Sequence, residues 1–386
     1  MERRDFFKVL AAAGVAAWLP RSGWAATPAA YRNLLVLVEL KGGNDGLNTA
    51  VPYADPEYYA LRPRLGVQRE TVLQLDSRTG LHPRLAPLLP LWRAGELAVV
   101  QGIGYPEPNL SHFRSIEIWD TASRSDQYLQ QGWLARAFAA YPAPADFAAD
   151  GVVVGSQELG PLTGSSGRTL ALANTEQFLR NARLAAPAGN SRNPALRHIL
   201  KVEADIAQAA AKLGASAQPL HTEFPKGEFG NAVRAACKVV AGSPGVAALR
   251  LTLNGFDTHQ NQPGLHGNLL GQLAEGLAAL KAALVELGRW DRSLILTYAE
   301  FGRRPRENQS NGTDHGAGSA HFALGGKVRG GLYGAPPMLR QLDGNGNLAF
   351  AVDFRSLYAT VLERWWGIPA FNVLGGRYPI LPILDG

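Results

Sequence analysis

The 386-residue chain has a single cysteine, Cys237. One thiol closes no intramolecular disulfide and builds no Cys-rich zinc site, so stapled secreted scaffolds are excluded and any metal must be held by imidazole and carboxylate. Charge is scarce too. Asp, Glu, Lys and Arg make up 18 % of the residues and hydrophobic types 46 %, where an ordinary soluble domain is roughly 25 % charged. That balance excludes a disordered, solvating chain. The net charge of +6 is modest. The largest basic cluster, Arg303, Arg304 and Arg306, is shorter than the run of about five expected of a nucleic-acid tail, so no nucleic acid is expected as a partner. There is no Gly-x-Ser-x-Gly elbow, which disfavours a serine-hydrolase triad, and no Gly-Lys-Ser/Thr ending after Lys41-Gly42-Gly43, which rules out a P-loop.

Glycine, by contrast, is abundant: 43 residues without a collagen-like period. Loops that depend on backbone freedom are expected. Residues 1–26 read as an export signal: Arg3-Arg4-Asp5-Phe6-Phe7-Lys8, an apolar run from Val9 to Leu19, and the small-x-small pattern Gly23-Trp24-Ala25. The run is shorter than the roughly 20 residues that cross a hydrocarbon core, so no stable membrane span is expected after processing. The arginine pair marks a twin-arginine signal, making the twin-arginine export machinery a partner and the destination periplasmic or secreted. That route carries folded proteins, often with a cofactor already loaded, and so directs attention to a metal.

Buried strands are expected at Leu34 to Leu40, Leu97 to Ile103, Val152 to Val154, Ala247 to Leu253 and Ser293 to Tyr298. Helical spacing runs through Leu265–Leu287, Ser111–Ala122, Ala195–Leu213, Asn231–Val240 and Phe354–Trp366. Alternation of this kind implies an α/β fold, a mostly parallel central sheet with helices on both faces. Residues 27–386 are read as one domain, with the Ala-, Pro- and Gly-rich stretch 139–226 as a cap or insertion.

The polar residues that stand out all follow strands, and ligands of open α/β sheets bind beyond the carboxyl ends of strands. Convergence there would gather Asp45, Asp257, His259, Asp314, His315 and His321 as metal ligands. Carboxylate and imidazole without thiolate suit zinc or manganese, one or two ions per chain, and six ligands exceed one four-coordinate site. Ser111 stands at an N-cap position that serine also occupies for reasons unrelated to catalysis; the sharper reading makes it a nucleophile at an anion-attracting helix end. Arg114, one turn later, either clamps the anion or lies on a solvated face. His112 either orients the Ser111 loop or transfers protons. His82, His198 and His221 read as structural or exposed, and His266 as a reserve ligand.

Gly42-Gly43-Asn44-Asp45-Gly46-Leu47-Asn48, Ser111-His112-Phe113, Phe256-Asp257-Thr258-His259, Glu300-Phe301-Gly302-Arg303, Asp314-His315-Gly316 and Leu324 to Gly331 together resemble the secreted bacterial family known as domain of unknown function 1501. That family looks like a distant branch of the alkaline phosphatase and sulfatase superfamily. The resemblance implies an alkaline-phosphatase-like sheet and a bimetal centre. In it Asp45 is similar to the first metal-binding aspartate, Ser111 to the nucleophile, Asp314 and His315 to the adjacent Asp-His pair, Asp257 and His259 to the ligands of the other metal, and His321 to the last histidine. The expected function is an exported metal-dependent hydrolase of small anionic phosphate or sulfate esters. The alternative is a non-catalytic exported protein that binds an anionic cell-wall or glycan ligand.

Overall fold

The computed structural model describes residues 31–164, 168–172, 219–242 and 245–385. The signal at 1–26 and the helix expected over Ala195–Leu213 lie outside them. Eleven strands concern the site and its support: β1 (Leu34–Lys41), β2 (Leu97–Gly104), β3 (Ala149–Val154), β4 (Thr169–Leu172), β5 (Val246–Asn254), β6 (Ser293–Tyr298), β7 (Gly302–Glu307), β8 (Thr313–Gly316), β9 (Ser319–Leu324), β10 (Gly331–Tyr333) and β11 (Val352–Asp353). The main sheet runs β10-β2-β9-β6-β1-β5-β3-β4, with β11 also paired to β2. Every pairing in it is parallel except the two made by β9, which runs antiparallel to β2 and β6. The carboxyl ends of β1, β2, β5 and β6 therefore share one edge. β7 and β8 form a separate antiparallel hairpin just beyond β6.

Because β1 lies between two parallel neighbours and is covered on both faces, its residues from Leu34 to Leu40 are all buried, and all are apolar except Glu39, which pairs with the buried Arg250. Its even-numbered side chains join one core with helices α3 (Glu228–Gly242) and α4 (Gln262–Glu286). Leu35 and Leu37 join the other, with α1 (His112–Thr121), α2 (Trp133–Ala140) and α5 (Phe354–Thr360). Helices thus cover both faces of a mostly parallel sheet. Leu270, Leu273, Leu277, Leu280 and Leu284, spaced by three or four residues, are the buried stripe of α4, with Leu269 beside it. Each such leucine stabilises the fold by about 1.5–3 kcal/mol.

The stretch 139–226 contributes β3 and β4 to the main sheet, while residues 173–218 of it lie outside the described residues. β9 was absent from the sequence expectations. Its six residues, Ser-Ala-His-Phe-Ala-Leu, are short and glycine-flanked, and their Ala320-Phe322-Leu324 alternation is the signal that identifies them. No helix of the described residues is long and apolar enough to cross a membrane.

Candidate metal centre

Three loops after strands and the hairpin bring their side chains together. Helix α1 begins beyond β2 and presents His112. The turn after β5 carries Asp257 and His259, the turn after β6 carries Glu300 and Phe301, and β8 carries Asp314 and His315. His112, Asp257 and His315 each offer one ligand atom, and these three atoms lie within 4.8 Å of one another. His259 Nε2 is 3.1 Å from Asp257 Oδ1 and 2.9 Å from His315 Nε2. Asp314 stands on the open side, its Oδ1 3.6 Å from His259 Nδ1.

Both histidines of the triad are fixed from behind. The buried Glu300 accepts from His112 Nδ1 at 2.9 Å and from the Gly42 backbone N–H at 2.8 Å. The Leu110 carbonyl accepts from His315 Nδ1 at 2.8 Å. With Nδ1 carrying the proton, Nε2 of each ring keeps its lone pair toward the cluster, the arrangement that metal-binding histidines use. The Phe301 ring packs against both, its centroid 4.3 Å from that of His315 and 4.9 Å from that of His112, while the two imidazole centroids are 4.5 Å apart. Burial lowers the His315 pKa, Arg303 and His112 push the same way, and the neutral imidazole is favoured over the bonds that would raise it. Desolvation alone would raise the Asp257 carboxyl, but the hydrogen bond and charge of Arg303, with His315 and His259, outweigh it and hold Asp257 below the usual carboxylate range. Two imidazoles that turn Nε2 toward the cluster and an ionised carboxylate are a donor set that fits a divalent ion.

Behind the triad, Arg303 is 1 % exposed and its guanidinium serves several loops at once. It donates to the carbonyls of Gly43 (2.8 Å), Thr313 (2.9 Å), Phe256 (3.0 Å) and Gly42, and to Asp257 Oδ1 at 2.6 Å. Gly42 is needed here: its φ is +115°, and a Cβ would collide with the Asp257 backbone nitrogen. Gln262 ties the ligand loops from another side, its Oε1 accepting from Thr258 Oγ1 (3.1 Å) and Thr313 Oγ1 (2.6 Å).

Not every residue singled out in the sequence reaches this cluster. The fully buried Asp45 caps the short helix Gly46–Thr49, pairs with Arg62 Nη1 at 2.7 Å and accepts from Gln262 Nε2 at 2.5 Å. Desolvation works to raise its pKa, and the Arg62 and His266 charges reverse that, so it is an ionised structural carboxylate committed to its own neighbours. His321 is a β9 residue with its side chain in the core, Nδ1 3.4 Å from Thr297 Oγ1 and its ring 5.6 Å from that of Trp119. Burial drives it down to about 3. Arg114 is no anion clamp: it pairs with Glu117 at 2.9 Å, donates to the carbonyls of Arg124, Ser125 and Gln127, and stacks 3.9 Å over the Tyr128 ring. His266 is buried against Asn44 Oδ1 at 2.9 Å. Ser111 is the exposed N-cap of α1, and its side chain makes no capping hydrogen bond.

Sequence reasoning assigned no role to Glu300 or Arg303, although Glu300-Phe301-Gly302-Arg303 stood out. The available signal was an acidic residue placed directly after the β6 end, where a side chain must face the site.

No curated protein matches the chain. Among solved structures it is similar to the C-terminal periplasmic domain of EcEptC from Escherichia coli in complex with zinc, at 12 % identity and a TM-score of 0.36, over 76 % of this chain and 72 % of that one. It is also similar to the PsFucS1 sulfatase from Pseudoalteromonas sp., at 11 % identity and a TM-score of 0.33, over 89 % and 67 %. For the alkaline phosphatase of Thermus thermophilus the values are 17 %, 0.30, 75 % and 64 %. Nothing about activity follows from overlaps this loose. The model of the family described as "Protein of unknown function (DUF1501)" matches residues 97–374, a span holding His112, Asp257, His259, Glu300, Arg303 and His315, and the chain belongs to that family.

Proposed function

We propose that the protein is an exported metal-dependent hydrolase of small anionic phosphate or sulfate esters, with one divalent ion held by His112, Asp257 and His315. The observation that carries this reading is the pair of imidazoles whose Nδ1 atoms are engaged by Glu300 and Leu110, so that both Nε2 atoms face an ionised Asp257. Two nitrogens and one oxygen leave a further coordination position open, as catalytic zinc sites do. When bound, the ion supplies Lewis acidity toward a phosphoryl or sulfuryl oxygen. Glu300 keeps the proton on His112 Nδ1, and Arg303 keeps Asp257 ionised. Ser111, exposed and uncommitted to its helix cap, is the nucleophile: its Oγ bonds to phosphorus or sulfur as the ester alcohol leaves, and water then releases the acid. His259, with Asp314 beside it, takes the serine proton and returns it to the leaving alkoxide.

The test is metal content per chain together with hydrolysis of 4-nitrophenyl phosphate and 4-nitrophenyl sulfate by the exported protein. Asp257→Ala and His315→Ala should lose both ion and turnover, while Ser111→Ala should keep the ion and lose turnover. Stoichiometric metal with no turnover of either ester would favour the non-catalytic binding protein, and absence of bound metal would remove both readings.

A further inference from the structure

Beside Ser111 the molecule keeps two aromatic rings in water. Phe113, at 89 %, and Tyr128, at 70 %, are the two most exposed large hydrophobic side chains among the described residues. A lone exposed apolar residue is ordinary, whereas these two border one guanidinium. Phe113 precedes Arg114 in α1, and the Arg114 Cζ lies 3.9 Å from the centroid of the Tyr128 ring. The main chain under each ring is held in place. Leu110 accepts from His315 Nδ1 at 2.8 Å and Ser115 Oγ donates to the Glu300 carbonyl, which fixes the start of α1 around Phe113. Arg114 Nη2 donates to the carbonyls of Arg124, Ser125 and Gln127, at 3.2, 3.1 and 2.6 Å, which fixes the loop that carries Tyr128. A ligand that covers these rings therefore loses little to ordering them.

Residues two apart at a helix start have Cα atoms about 5 Å apart, so the exposed Phe113 ring is within reach of an ester held between Ser111 and His112. We infer that Phe113 and Tyr128 set the specificity of this site by stacking an aromatic ring carried by the organic group of the ester. The inference rests on the hydrolase reading above. Offset or edge-on packing of aromatic rings is favourable beyond the apolar area that it buries. A polyol could cover the same rings, but its hydroxyls would find few partners. The Arg114 donors are already taken by three carbonyls and by Glu117, whose Oε1 is 2.9 Å from Nη1. A polyol thus gains area without hydrogen bonds, and an aromatic ring is the better match.

Calorimetric titration of the zinc-loaded full chain with benzylphosphonate, methylphosphonate and 3,4-dihydroxybutylphosphonate tests the assignment without turnover, because none of the three has an ester bond to break. Benzylphosphonate should bind at least about tenfold more tightly than the other two. Phe113→Ala should bring benzylphosphonate and methylphosphonate within about twofold of each other, and Tyr128→Ala should remove part of the difference. Both side chains are exposed, so both variants should fold, and thermal melting checks that they do. Three results would overturn the assignment and leave the hydrolase reading standing: equal binding of the benzyl and methyl compounds by the wild type, binding of the dihydroxybutyl compound as tight as that of the benzyl one, or a benzyl preference that survives both substitutions together. If none of the phosphonates binds, the hydrolase reading fails and the assignment fails with it. Should a variant misfold, the comparison on the wild type decides.

Discussion

Replacing Glu300 separates the charge behind His112 from the hydrogen bond that orients it. Glu300 Oε1 accepts from both His112 Nδ1 and the Gly42 N–H, at 2.9 and 2.8 Å. In Glu300→Gln the amide carbonyl can take the place of Oε1 and keep both bonds, so the imidazole stays in its tautomer and only the negative charge is lost. Outer partners of metal-binding histidines are worth about 10–100-fold in affinity. The glutamine variant should sit near the lower bound, with zinc bound about tenfold more weakly, or about 1.4 kcal/mol. Glu300→Ala deletes the acceptor altogether. His112 is then free to turn, and the loss should approach about 100-fold. The Gly42 N–H is orphaned at the same time, which costs about 1–3 kcal/mol of stability even without metal. Competition for zinc against a chromophoric chelator at fixed pH reads the affinity, and urea unfolding in excess chelator reads the metal-free stability. If both variants bind zinc within about twofold of the wild type, while only the alanine variant is less stable, His112 does not hold the ion and the triad is wrong.

Arg62→Met should destabilise the fold by about 3–5 kcal/mol in urea unfolding, because Asp45 would remain buried and charged without its cation. His321→Leu should leave metal content unchanged. It should also soften acid unfolding: a histidine neutral in the fold down to about 3, but titrating near 6.5 when unfolded, withdraws stability as the pH falls below about 6.5. Denaturation midpoints across pH 3–7 give the comparison. Asp120 has the opposite sign. Burial, against the pull of Arg250, pushes its carboxyl up to about 8, so the folded state holds a proton that the unfolded state has released, and stability declines as the pH rises from about 4 to about 8. Asp120→Asn should flatten that decline in a midpoint series carried up to about pH 8.

Much of the fold could be read from the chain because parallel strands covered on both faces are mostly apolar: Leu34 to Leu40, interrupted only by Glu39, and Ser293 to Tyr298, with Leu294 to Leu296 at its centre, announce themselves. The loop after β5 and strand β8 were legible for other reasons: Asp257 and His259 follow closely on the apolar run of β5, and the adjacent Asp314-His315 pair stands beside Gly316 in a polar stretch. His321 misled because glycines flank a short antiparallel strand, and a histidine in a strand looks no different from one in a loop until the Ala320-Phe322-Leu324 alternation is noticed. Asp45 misled for an energetic reason. A strand-end aspartate between glycines suits a metal or a helix cap equally, and the arginine that decides between them, Arg62, lies 17 residues further on. Glu300 and Arg303 escaped because their work is done behind other side chains, across sequence separations of 188 and 46 residues to His112 and Asp257.

The amide of Gln262 joins three places at once: its nitrogen reaches Asp45, and its oxygen receives Thr258 and Thr313, the residues beside Asp257 and Asp314. Together with Arg303 it closes the ligand loops into a frame made only of protein. An ion arriving there would find its ligands already ordered and would pay little to assemble them. If the triad binds an ion as proposed, loading would be uncoupled from folding: the chain would stay folded with the ion exchanged or lost, and the ion it carried would depend on where and when the site was filled.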